Sequence, residues 1–592
     1  MKQTLILDLE IYRDYFLAMF RNVATGNVRA FELYDGQPLD VATIKVILRS
    51  YRLVTFNGAN FDVPLLMLAL KGANNALIKK ACDSIINNNL RGWQFERQWE
   101  VAVPRSLDHI DLIEVAPGTA SLKIYGGRMH CKRMQDLPIE PDASIAPEQR
   151  AVLVEYCAND LVTTQDLYEK LLPQIELRHR MSDEYGIDLR SKSDAQIAEA
   201  VIGHQVARIL QSEVKRPEVK AGTRFTYRPP KFIQFTTPDL QYVLEELTRE
   251  RFVVPDSGKV MMPKWLQETE INLGNSVYRM GIGGLHSSEQ SVAHLADDDT
   301  VLVDRDVASY YPNIILTTGL APAHMGNAFT VAYRDILQRR LKAKAAGDKV
   351  TDSALKITVN GSFGKFGSKW SKLYSPDLLI QTTITGQLAL LMLIEMLESE
   401  GIPVVSANTD GVVIKCPKAR LPMMEFVVWE WENTTGLTMD ATRYRALYSR
   451  DVNNYIAIKP DGEFKLKGAY APAGLQKNPT NEICTGAVVK HLLDGTPVAD
   501  TIHACQDIRK FVTIRQVKGG AIKDDAYLGK AVRWYYARGA TGTINYKING
   551  YTVARSEGAR PLMQIPDSFP SDVDHDWYIA EANSILKAIG AA

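Results

Sequence analysis

A chain of 592 residues is several times the usual domain size, so several packed units are expected. With 46% hydrophobic and 23% charged residues, a largely disordered chain is excluded. Lys plus Arg equals Asp plus Glu at 69 each, which excludes a global positive field, so a polyanionic partner has to be argued from local patches.

In chain order, the first strand-like run, TLILDLEIY, is interrupted by Asp8 and Glu10, too early and too acidic for a signal peptide. Up to about residue 180, strand-like runs alternate with helical ones, ending in a long helix pattern from about Pro147 through Leu172. Residues 215–231, KRPEVKAGTRFTYRPPK, are basic and Pro-rich, as a linker or a surface arm lying on phosphates would read. A glycine cluster at Gly281–Ser287 precedes the strand TVLVDRDVASYYP, then helix, hairpin and helix patterns to about Tyr470. The most apolar stretch, Leu388–Leu397, holds Glu395 and stops at Gly401 before Pro403, as a buried helix would, so no membrane role is expected. The remainder reads as a separate substrate-gripping unit. Its aromatic text at Trp534–Arg538 suits core better than a nucleic-acid platform, and His109 and His286 read as structural. The six cysteines form no Cys-x-x-Cys pair, which fits neither zinc spacing nor a disulfide framework and suits a reducing cytoplasm.

Asp8 and Glu10 lie two apart on a strand and so share a face. Tyr156 and Asp160 stand at i and i+4 on the long helix, and Asp62 follows a glycine-containing turn in TFNGANFDVPLL. Carboxylates converging in this way repel unless hard cations neutralise them, and oxygen ligands select Mg²⁺ or Mn²⁺. Two such ions suit in-line phosphoryl displacement, with the tyrosine hydroxyl orienting water. D-x-E, then N-x-x-x-F-D at Asn57–Asp62, then Y-x-x-x-D resembles the three motifs of the DEDDy proofreading exonucleases, which have a ribonuclease H-like fold. The resemblance covers roughly the first 180 residues. It implies Asp8, Glu10, Asp62 and Asp160 as metal ligands, Tyr156 as a catalytic partner, and Asn57 and Phe61 as DNA contacts. Lys123 in SLKIYGG is a candidate phosphate contact, set against a solvated surface lysine.

A second set follows. Asp306 ends an apolar strand, and Asp410 sits in a turn between VVSA and GVVI, as in a β-hairpin. Between them, YRDILQRRLKAKAAG and SALKITVNGSFGKFG read as two helices joined by a Gly-Asp turn. Arg340 and Lys344 share one helical face, and Lys356, Asn360 and Phe363 another, offering three cations to a triphosphate and an aromatic ring to a base. DVASYYP resembles the D-x-x-S-L-Y-P motif of family B DNA polymerases, KITVNGSFG their K-x-x-x-N-S-x-Y-G, and NTDG their D-T-D-S. NNYIAIKPDGEFKLKGAY is similar to their K-K-x-Y segment and the K-G after it. Compact length and RSEGARPLM look most like the tailed-bacteriophage type.

This likeness implies a multi-domain α/β and α+β chain: a ribonuclease H-like exonuclease domain (1–185), a connecting region (186–275), a palm (276–326 and 365–475) interrupted by a fingers helical hairpin (327–364), and a thumb (476–592). It implies Asp306, Asp410 and the Val307 carbonyl as metal ligands, with two Mg²⁺ per site and Mn²⁺ as the alternative. Arg340, Lys344, Lys356, Asn360, Phe363 and Ser309 would hold the nucleotide, Tyr311 would sit under its sugar, and Tyr455 and Lys467 would grip the primer end. Expected partners are primer-template DNA, single-stranded DNA and dNTPs, with a single-strand-binding protein or processivity factor as a further candidate. The setting would be a host cytoplasm if the chain is phage-encoded. Departures stand beside the likeness: Asn408 replaces the first aspartate of D-T-D-S, Gly361 a serine, Phe363 a tyrosine, and Asn453 and Asn454 two lysines. Asp304, two before Asp306, is an alternative ligand. The resemblance implies proofreading DNA synthesis from a primer 3′-hydroxyl, replicating a phage genome; the alternatives are an exonuclease with a degenerate polymerase half and a non-catalytic single-strand binder, and Asn408 is the one feature favouring the former.

Overall fold

In a computed structural model, residues 2–591 are described, and they form a multi-domain α/β and α+β chain of two compact units. The first comprises Met1–Ser193, Pro472–Ile483 and Ile502–Tyr578; the second comprises Asp194–Ala471, Cys484–Thr501 and Ile579–Ala592.

The first unit is built on a five-stranded sheet in the order Val28–Leu33, Phe16–Asn22, Thr4–Ile11, Arg52–Thr55, His109–Asp111. The first three strands are antiparallel and the last two add in parallel. Its central strand alternates Leu5, Leu7 and Leu9 into one core with Ile6 into another, so both faces are covered by helices. Helix Pro147–Lys170 covers one face with Leu153, Cys157, Leu161 and Leu167.

The C-terminal residues, expected as a unit of their own, are divided between the two. Ile514 and Ala531 share a small core with Ile124 and Met134. Arg533, fully buried, donates to the carbonyls of Leu562 (2.7 Å), Cys131 (2.9 Å) and Met563 (3.3 Å). Trp534 is fully buried as well, so the aromatic text there is core.

The second unit carries a seven-stranded antiparallel sheet in the order Met439–Tyr444, Thr300–Val307, Gly411–Pro417, Val404–Asn408, Gly284–Ser287, Ser276–Gly281, Ile271–Leu273. Helix Pro376–Ser399 lies in its core. It is long and apolar enough to cross a membrane, but 89% of its most apolar stretch is buried inside the protein. Its polar groups are taken up by neighbouring backbone: the Glu395 carboxylate accepts the amides of Thr236 and Thr237 (2.7 Å), and the Gln387 amide exchanges two hydrogen bonds with Gly281. A helix made to face lipid has no such partners to offer.

Residues 215–231 are not simply an arm. Tyr227 is buried, its hydroxyl 3.0 Å from that of Thr385, and Phe225 stacks on Phe252 with ring centroids 5.6 Å apart. The connecting region also holds a 17-residue helix, Asp194–Leu210, packed on helix Lys349–Phe366. A Cβ at Gly361 would lie 2.7 Å from the Asp194 carbonyl and 3.1 Å from the Ala198 methyl, which gives the serine-to-glycine departure a steric cause.

Replacing Arg533 by Met should strip the carbonyls of Leu562, Cys131 and Met563 of this donor. The expected loss is about 3 kcal/mol, read as a lower urea midpoint for the first unit's transition, whereas Arg→Lys at the exposed Arg97 should leave the midpoint unchanged.

Candidate functional site

The first carboxylate set assembles within the first unit. Asp8 and Glu10 project from the central strand, Asp62 opens helix Asp62–Leu70, and Asp160 lies on the long helix; Glu10, Asp62 and Asp160 are buried. Ligand atoms of Asp8, Glu10 and Cys157 lie within 4.8 Å of one another. Burial and the Asp160 charge push the Asp8 carboxyl up to about 7, and burial with the Asp8 charge holds Glu10 well above the carboxylate range. Burial does the same to Asp62, with Asp8 adding to it. Carboxylates held against their own repulsion and desolvation fit a divalent cation bound by oxygen ligands.

Lys123 is no surface lysine. Its ammonium pairs with both Asp160 oxygens and lies 4.3 Å from the centroid of the Tyr156 ring. Among the described residues it is the one cation paired with this set. Asp111, absent from the sequence reading, is 1% exposed and accepts the amides of Asn57 (2.7 Å) and Ala59 (2.9 Å). It thereby fixes the loop, with Asn57 at φ 67°, that delivers Phe61 and Asp62. An isolated HID tripeptide gives no signal of that role. Cys157 donates to Asp8 at 3.7 Å and was likewise unforeseen. His109 is structural: its ring nitrogen lies 2.8 Å from the Thr55 hydroxyl, and burial lowers it to about 4.

The second set lies in the second unit. Asp306 stands opposite Gly411, and the Val307 amide donates to the Asp410 carbonyl at 2.8 Å, so the two carboxylates belong to adjoining strand ends. A Cβ at Gly411 would fall 2.2 Å from Oδ1 of Asp306, so glycine is what leaves the carboxylate its room. A cavity of about 420 Å³ is lined here by Asp304, Asp306, Asp410, Tyr455, Lys465 and Lys467, among others. Burial and the Asp304 charge raise Asp306 to about 6.

Asp304, the alternative ligand, is already engaged: it is buried, accepts from the Tyr444 hydroxyl (2.5 Å) and pairs with Lys465 (3.2 Å). Lys465 also stands 3.8 Å from Asp306. The sequence reading singled out Lys467, just after strand Phe464–Leu466, and passed over Lys465 within it. Asn408 donates its amide to the Val452 carbonyl (2.9 Å), a bond that an aspartate could not make, and accepts from Thr409 (3.0 Å).

The helical pair spans Gly326–Ala345 and Lys349–Phe366. Arg340 donates to the Ser309 hydroxyl (2.8 Å) and to Asp352 (3.1 Å), and Lys344 lies 3.8 Å from Asp440. Lys356 and Asn360 are exposed. Phe363 stacks on Tyr311 with centroids 4.1 Å apart and rings 9° from parallel.

No family model matches the chain. Two curated proteins, both named DNA polymerase 1, share short stretches: that of Saccharolobus solfataricus is 26% identical over 122 residues, and that of Aeropyrum pernix 30% identical over 126. These stretches are 20% and 21% of this chain but only 14% and 13% of those proteins. The family B DNA polymerase of Pyrobaculum calidifontis aligns with a TM-score of 0.41 at 16% identity, covering 100% of this chain and 78% of its own. These relatives are archaeal, so the phage-type likeness read from length and RSEGARPLM is not what the comparisons bring out.

The raised carboxyls set the direction of a pH test. Asp8 titrates at about 7 when folded against an ordinary 3.8, so between those values the folded chain holds more protons than the unfolded one. Without metal, its contribution to stability therefore falls as pH rises through that window. A divalent cation, which needs the deprotonated carboxylates, should raise the melting temperature more at about pH 8 than at about pH 5.5. Differential scanning calorimetry with and without Mg²⁺ reads this directly, and an equal shift at both pH values would exclude the first set as the cation's site.

Proposed function

We propose that the chain is a template-directed DNA polymerase of family B with a 3′→5′ proofreading exonuclease. The observation that carries this reading is the second set. Two carboxylates at adjoining strand ends face a helical pair bearing Arg340, Lys344 and Lys356, and the Phe363–Tyr311 stack lies beside them. The archaeal DNA polymerases that share a fifth of the chain point the same way.

Two divalent cations, when bound, would polarise the phosphoryl group and stabilise the attacking and leaving oxygens. In this reading Asp306, Asp410 and the Val307 carbonyl hold them, as Asp8, Glu10, Asp62 and Asp160 would in the exonuclease. Arg340 exchanges its Ser309 contact for triphosphate oxygens, and Lys344 and Lys356 add charge. Phe363 gives its place on Tyr311 to the incoming nucleoside, leaving the tyrosine ring beneath the sugar. Tyr455 and Lys467 contact the primer end, where minor-groove acceptors are present at every base pair and pairing is tested without sequence being read. At the other set, Tyr156 orients water and Lys123 meets the phosphate next to the scissile bond. The short interval between the two motifs of the second set, filled largely by the helical pair, suits synthesis from a base-paired primer. Asn408 does not favour a degenerate site, because its amide ties down the turn that carries Asp410.

Separate sites predict separable losses. Asp8→Ala with Asp160→Ala should abolish primer shortening and leave extension within about twofold, and Asp410→Ala should do the reverse, each change removing on the order of 10³-fold of rate. A gel assay with and without dNTPs decides it, and loss of both activities from either change in a folded protein would sink the two-site reading. The ring at Tyr311 would collide with a 2′-hydroxyl. Tyr311→Ala should therefore raise ribonucleotide use by about a hundredfold, and an unchanged rNTP to dNTP ratio in single-nucleotide kinetics would assign the gate elsewhere.

A further inference from the structure

Helix Lys349–Phe366 ends in a tight turn that carries Trp370, whose side chain is 72% exposed. The turn is rigid. Ser371 and Ser375 amides bond to the carbonyls of Ser368 (2.9 Å) and Phe366 (2.9 Å), the Lys372 amide bonds to the Glu199 carboxylate (2.7 Å), and the Tyr374 hydroxyl bonds to the Gly258 carbonyl (2.5 Å). A large indole is thus carried on a hydrogen-bonded turn with most of its surface in water, where its apolar area gains nothing from burial.

Two cations flank that ring. The Arg216 guanidinium stands 5.3 Å and the Lys369 ammonium 5.4 Å from its centroid. Arg216 comes from the basic 215–231 segment, whose later part is packed while this end is not. Lys369 is steadied by a 2.8 Å bond to the Asp256 carbonyl. Neither cation is in an ion pair among the described residues, whereas the neighbouring Lys365 and Lys372 are paired with Glu199 (3.0 Å) and Glu213 (3.3 Å). Trp93 and Trp429 are also exposed, at 65% and 58%, but among the described residues no cation lies over either ring.

We propose that Trp370, Arg216 and Lys369 form a binding platform for single-stranded nucleic acid. A flat ring between two unpaired charges matches an unpaired base stacked on the indole with its flanking phosphates on the cations. A duplex keeps its base faces covered and cannot use the ring. On the polymerase reading, on which this assignment of the strand rests, the ligand is the template ahead of the site, because the turn directly follows the helix that carries Lys356, Asn360 and Phe363.

The test measures affinity of the full-length protein by fluorescence anisotropy for a primer-template with an overhang of about two nucleotides, one with about fifteen, and a free oligothymidine of about fifteen. Trp370→Ala should weaken binding about tenfold on the long overhang and the free strand and leave the short overhang unchanged. Trp370→Phe should retain most of the affinity, Arg216→Ala should flatten the salt dependence, and Trp429→Ala should change nothing. Extension of the short overhang by the unsubstituted chain reports the polymerase reading separately. A chain that extends nothing but shows the Trp370 deficit on the free strand keeps the platform and loses the template assignment. Equal affinity of the unsubstituted and Trp370→Ala chains for the free strand, an equal deficit on both overhangs, or displacement by an acidic peptide with no effect on the strand would overturn the platform.

Discussion

Carboxylates brought together out of water repel one another and resist ionisation, and both candidate sites are organised around that cost. In each, one lysine offsets part of the charge from a neighbouring element: Lys123 on Asp160, Lys465 between Asp304 and Asp306. Neither lysine neutralises its set. Burial, together with the excess negative charge that remains, raises Asp8, Glu10 and Asp306, and a buried, uncompensated carboxylate set suits a site for hard divalent cations.

Such a charge excess persists only where the backbone cannot relax away from it. Asp8 and Glu10 sit on the central strand of a sheet covered on both faces, and the loop leading to Asp62 is held by the buried Asp111 carboxylate. In the second unit the two-residue turn at Thr409–Asp410, with Thr409 at φ 55°, is held by Asn408 and by the Thr409 amide bonded to the Leu285 carbonyl. Departures from the family motifs acquire local reasons in this setting. The amide of Asn408 supplies a donor where a carboxylate has none, and Gly361 admits the helix Asp194–Leu210.

The helical pair follows a different logic. Its cations are partly engaged within the same unit, Arg340 on Ser309 and Lys344 near Asp440, and Phe363 covers Tyr311. Lys344 and Asp440 are exposed, so their contact is weak enough to be exchanged for a charged ligand, whereas Arg340 leaves only 12% of its side chain exposed. The carboxylates are therefore fixed while Lys344 is held loosely.

The sequence by itself determined what depends on short spacing. The strand period put Asp8 and Glu10 on one face, the helix period paired Tyr156 with Asp160, and the hairpin text bounded Asp410. The helical pair was equally legible, because a Gly-Asp turn between two amphipathic runs is a local signal. What only the tertiary structure decided involves partners far apart in the chain. Lys123 meets Asp160, Asp111 caps the loop at Asn57, Lys465 binds Asp304, and Arg533 bonds the carbonyl of Cys131, so that Ile502–Tyr578 joins the first unit instead of standing alone. None of these leaves a periodic trace, because a buried polar group is chosen by the orphaned atoms it must satisfy, and those atoms become neighbours only when the chain has folded.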